Sequence, residues 1–158
     1  MVTNLARILP LLMVLLIGLQ DAAAYQDQTN AEEVAEAVGD AVRNGDARRL
    51  SNLASGQIEL DLGHGPETYS SDQARYVFTS FFEDHPPSYF ELADINVGKD
   101  MCTARGRFLT IESNQPWDVF IRLSSSGKAW RLKELRISQS FPVRIPTPSS
   151  ITPQIPHR

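Results

Sequence analysis

Three groups of residues in this chain of 158 have the chemistry to serve a site: the histidines, a lone cysteine and a set of arginines. His64 continues the phase of Ile58, Leu60 and Leu62 and can point inward at a pocket mouth, yet Gly63 and Gly65 on either side mark an exposed turn. Asp61 falls on the opposite phase, so the spacing supports neither an Asp–His pair nor a Ser–His–Asp arrangement. His64, His85 and His157 are far apart, and no H-x-x-x-H, C-x-x-C or Asp-rich loop is present, so no metal and no cofactor are expected. Cys102 opens the strand-like run MCTARGRFLTI. It is expected to pack as an inert buried thiol, because a nucleophilic one needs a base beside it.

The charges are divided unevenly. Residues 25–100 hold 5 basic and 15 acidic residues, whereas residues 101–158 hold 9 basic and 3 acidic. Arg105, Arg107, Arg122, Arg131, Lys133 and Arg136 fall on three successive predicted strands. Arg105 and Arg107 are two apart and share a face, while Ala104, Gly106 and Phe108 fill the other. Such a set serves either as a solvated outer face that discourages edge aggregation or as a patch for an acidic partner. That partner could be an anionic glycan, a surface phosphate or a second protomer's acidic helical side. A formal net charge of −4 argues against nucleic acid as the partner.

The elements that must position these residues read clearly. With 42% hydrophobic and 22% charged residues, the chain is one globular domain, not a disordered, collagen-like or multi-domain protein. Residues 1–24 read as a signal peptide: Arg7, the apolar run ILPLLMVLLIGL, then Ala22-Ala23-Ala24 before a cleavage at Tyr25. The apolar run is too short for a bilayer core, which takes about 20 residues, so the mature chain has no membrane span and is exported, to the periplasm or beyond. One cysteine makes no internal disulfide, so the exported domain, residues 25–140, must be held by its core.

Helix one starts at Asn30 with Val34, Ala37, Val38, Ala41 and Val42 on one face, and Gly45 stops it. Asp46 caps a short second helix that runs to Gly56. A strand with Ile58, Leu60 and Leu62 inward follows, then a third helix opening at Ser70 with Gln73 three positions on. Its stripe of Ala74, Val77, Phe78, Phe81 and Phe82 is the strongest in the chain, and Pro86-Pro87 ends it. Strands are predicted at 88–97, 101–113, 116–125 and 129–138, with a turn at Ser113-Asn114-Gln115. Two of them change phase by one residue, from Phe90 and Leu92 to Ile95 and Val97, and from Trp130 and Leu132 to Leu135 and Ile137. That is what a β-bulge does, and it predicts a strongly curved antiparallel sheet. Residues 141–158 hold five prolines and read as a disordered, polyproline-like tail.

The order helix–helix–strand–helix and four long strands resembles the cone-shaped α+β fold of nuclear transport factor 2. The wording NGDARRLSNL, QIELDL, YSSDQARYVFTSFFEDHPPSYF, ARGRFLT, PWDVFIRL and AWRLKELRIS is similar to an uncharacterised bacterial family of small exported domains with that fold. The resemblance covers residues 31–139 and implies three helices packed in a curved sheet, with a small apolar pocket between them. It brings no assigned activity. Two readings follow. The first is a non-catalytic binding or interaction domain, taking a small apolar ligand or pairing through its sheet face with a homodimer mate or another protein. The alternative is a pocket enzyme of isomerase or dehydratase type, because members of the superfamily place Asp, His or Tyr in the pocket. Asp94 or His64 would then be the base and Tyr76 the oxyanion donor, as proton abstraction beside a carbonyl needs both.

Overall fold

The computed structural model describes residues 30–127 and 129–140; the predicted signal segment and the proline-rich segment 141–158 lie outside the described residues. Helix α1 covers residues 30–43. Gly45, at φ 62°, ends it in a left-handed turn, with Asp46 N–H donating to Ala41 O at 2.8 Å and Gly45 N–H to Val42 O at 3.1 Å. This is the paired closure of a Schellman motif. The Asp46 side chain then accepts from Arg49 N–H and starts α2, Ala47–Leu53. The second helix is shorter than the sequence predicts: its cap, Ala54, is already extended and begins β1, Ala54–Asp61.

After β1 comes a short strand that the sequence pattern did not reveal, β2, Glu67–Ser70. It leads directly into α3, Ser71–Asp84, whose capping box joins the Ser70 side chain and the Gln73 backbone in one direction and the Gln73 side chain and the Ser70 backbone in the other. The long strands are β3 Pro87–Val97, β4 Met101–Thr110, β5 Ser113–Ser126 and β6 Ala129–Gln139. Between β4 and β5 the turn is Ile111-Glu112, not Ser113 to Gln115, because Thr110 pairs with Ser113 and closes a two-residue connection.

The six strands form one sheet in the order β2-β1-β6-β5-β4-β3. Of the five neighbouring pairs, four are antiparallel and one, β1 with β6, is parallel. The expectation of a wholly antiparallel, strongly curved cone is therefore corrected to an α+β domain with a six-stranded mixed sheet that is not strongly curled. Both predicted phase changes are present, but each is a local bulge. One falls between Leu92 and Asp94 on β3, and the other between Leu132 and Glu134 on β6. Each redirects side chains by one residue without rolling the sheet into a cone.

The helices cover one sheet face. Phe78, Phe81 and Phe82 are buried against it, with Phe81 6.1 Å from the rings of both Phe108 and Trp117. Helix α1 comes so close to β3 that a Cβ on Gly39 would lie 2.9 Å from Leu92 Cδ1. Arg43 at the end of α1 donates to Phe90 O at 3.2 Å. None of the helices among the described residues is long and apolar enough to cross a membrane.

Candidate functional site

The opposite face of the sheet carries the charges. Residues directly across from one another in a ladder project to the same side, so the strand registers arrange this face in rows. Along one row run Glu91, Arg107, Asp118 and Ser138. Along the next run Asp94, Arg105, Phe120, Arg136 and Asp61. A third holds Asn96, Thr103, Arg122, Glu134 and Glu59. The acidic first part of the chain and the basic second part thus meet across the sheet. What reads in sequence as a basic set is, in three dimensions, a surface of alternating sign.

The bulges decide who takes part. At the β6 bulge Lys133 is the extra residue, which lets Glu134 take its place opposite Arg122. At the β3 bulge Ala93 is extra, which turns Asp94 toward Arg105. Arg131 is exposed further along β6, opposite Ser124, and Lys133 is half-buried.

A groove of about 740 Å³ opens at the centre of this face, with Arg105, Asp118, Phe120, Arg122, Glu134 and Arg136 among its lining residues. Its most buried polar side chain is Glu134, which is 3% exposed. Arg122 Nε donates to one Glu134 oxygen at 2.5 Å, and Arg136 forms an ion pair with the other. The Arg136 guanidinium also lies 5.4 Å from the centre of the Phe120 ring, within the range of a cation–π contact. Glu134 therefore fixes two arginines around an aromatic side chain. Arg105 stands on the other side of that ring, exposed. Sequence reasoning placed Arg105, Arg122 and Arg136 here but missed Phe120, Asp118 and Glu134. The available signal was Phe120 itself, an aromatic residue on the charged phase between Asp118 and Arg122.

A smaller cavity of about 170 Å³ lies between α3 and the turn that follows β1, with Leu62, His64, Val77, Phe81, Asp84 and His85 in its wall. The turn is built by Asp61, whose carboxylate accepts from Gly63 N–H at 3.2 Å and Gly65 N–H at 3.1 Å. His85 packs edge-on to Phe81 and against Trp117, 5.0 Å from each ring.

The three residues of the enzyme reading are not brought into one cavity. His64 is exposed in the turn after β1, next to one edge of the sheet, and Asp94 is exposed on β3, the opposite edge strand. Tyr76 is 68% exposed on α3, its ring 5.3 Å from the Arg75 guanidinium. Among the described residues no cluster of three or more His, Cys, Asp or Glu side chains could hold a metal ion. Cys102 is fully buried on β4, and burial pushes its thiol pKa up, with a smaller contribution from Glu32. Hydrogen bonds to Glu67 and Glu91 raise the pKa values of Tyr69 and Tyr89 respectively.

A family model described as a domain of unknown function (DUF4783) matches residues 35–138. No curated protein matches the chain. Among solved structures, a DUF4783 family protein from Bacteroides uniformis is similar at 16% identity and a TM-score of 0.63, over 68% of this chain and 97% of that one. A second DUF4783 family protein, from Bacteroides ovatus, is similar at 16% identity and a TM-score of 0.62, over 67% and 94%. An NTF2-like protein of unknown function from Shewanella baltica is similar at 14% identity and a TM-score of 0.57, over 75% and 97%. These likenesses show the NTF2-like fold.

Proposed function

The chain belongs to the DUF4783 family of domains of unknown function, and from that premise we propose that it is an exported, non-catalytic binding domain whose charged sheet face receives a second copy of the chain. The observation that carries this reading is Phe120, an aromatic side chain at the centre of an open groove, ringed by held arginines and by acids. Aromatic and arginine side chains at the middle of a patch are the residues that anchor protein interfaces. Because the face presents both signs, a second copy can set acids against bases. A protein of net charge −4 meets little long-range repulsion in doing so.

Arg105 and Arg107 are exposed, so reversing them changes the surface without touching the core. Sedimentation velocity of Arg105→Glu/Arg107→Glu is expected to show weaker self-association than the unaltered protein. The difference between the two should narrow as added salt screens the charges. An unchanged distribution of species would overturn the proposal, as would a single-chain mass for the unaltered protein at all concentrations, the result expected if the groove holds only a small apolar ligand.

A further inference from the structure

We propose that Phe141 and the residues just behind it dock in the smaller cavity beside α3, so that the occupant of this cavity is the chain's own proline-rich segment. The first ground is where the described chain ends. Strand β6 runs parallel to β1, with Arg136 level with Asp61, so the end of β6 emerges beside Leu62 and His64. On its other side Gln139 is level with Trp117, and Ser140 N–H donates to Pro116 O at 3.1 Å. The Trp117 ring packs at a tilt against His85, a wall of the cavity. The chain therefore leaves the sheet between the cavity's two walls.

The second ground is side-chain direction and size. Ile137 is fully buried on the helix-covered face. A period of two places Gln139 and then Phe141 on that same side for as long as the backbone stays extended. Pro142 favours that course, since a residue before proline is pushed out of the helical region. A cavity of about 150 Å³ accommodates a benzene ring; the one here, of about 170 Å³, suits one phenyl ring among Leu62, Val77 and Phe81.

The third ground is charge. Residues 141–158 contain Arg144 and Arg158 and no acid. Asp84 lines the cavity, and Glu83 precedes it in the last turn of α3, where no basic residue stands. The carbonyl end of a helix favours a cation there as well. Arg144 lies three residues past Phe141, a reach of about 10 Å in extended chain, which suits a guanidinium placed over that helix end.

Nuclear Overhauser spectra of the full protein test this directly. Phe141 ring protons are expected to show cross-peaks to the methyl groups of Val77 and Leu62; their absence would overturn the proposal. In the full chain, Phe141→Ala should also shift the His64 and His85 imidazole resonances, and Asp84→Asn should shift the Arg144 side-chain resonances. Imidazole resonances identical in the unaltered protein and Phe141→Ala would contradict docking, whatever the state of the sheet face.

Discussion

Arg122 Nε lies 2.5 Å from a carboxylate oxygen of Glu134, a side chain that the sheet has almost entirely removed from water. Arg136 forms an ion pair with its other oxygen, and the two guanidinium groups are themselves a third and a half exposed. The pairing depends on the bulge at Lys133. Without that extra residue, position 134 would fall on the core-facing phase and the arginines would have no common partner.

Removing the carboxylate should therefore be felt. Breaking a fully buried ion pair costs about 3–5 kcal/mol; with both arginines partly solvated, screening reduces this. Glu134→Ala is expected to lower stability by about 2 kcal/mol, and Glu134→Gln by less, as read from urea denaturation midpoints. Full stability in Glu134→Ala would show that the network holds nothing in place.

Two glycines make a paired prediction. A Cβ on Gly106 would sit 2.5 Å from Glu91 O, a backbone atom fixed in the β3–β4 ladder, whereas one on Gly39 would meet the flexible end of Leu92 at 2.9 Å. Gly106→Ala should force the strands apart and cost about 1–3 kcal/mol. Gly39→Ala should cost less, since Leu92 can rotate and alanine favours the helix. Thermal unfolding of the two variants gives the order, and the reverse order would contradict the packing described.

Much of this domain is written locally. The α3 stripe and its capping box, the stop at Gly45 and both bulges were legible, because each depends on residues within a few positions of one another. The phase changes at Leu92–Ile95 and Leu132–Leu135 located the extra residues on β3 and β6 to within one position. Other features depend on partners far along the chain. The four residues of β2 follow a Gly–Pro turn with no alternation of their own, and the parallel pairing of β1 with β6 is set by everything between them. The same holds for the charged face. Glu91, Asp94 and Asp118 reveal themselves as partners of Arg107 and Arg105 only once the strands are in register, so the sequence suggested a basic patch where the surface alternates.

Cys102 supplies a pH prediction. Its thiol pKa is raised in the folded state, so the neutral form is favoured by folding. The corresponding stability is fully present below the unfolded thiol's ordinary value and is lost as the pH rises through the folded one. Alkaline unfolding titrations should show a shallower decline for Cys102→Ala than for the unaltered protein. Identical slopes would mean that the thiolate is tolerated in the core.

The proposed export makes a covalent prediction. Cleavage after Ala24 would leave Tyr25 as the first residue of the mature protein. Mass spectrometry of protein recovered from the host's exported fraction should find that N-terminus. An intact Met1, or an exported fraction without the protein, would contradict it.

The most direct measurement is sedimentation equilibrium on the unaltered protein and on Phe120→Asp, which places a charge at the groove's centre and leaves the helix-covered core alone. The expected result is a mass of two chains for the first and of one chain for the second. Equal masses, whether of one chain or two, would contradict the assignment of this sheet face as the surface through which the domain binds.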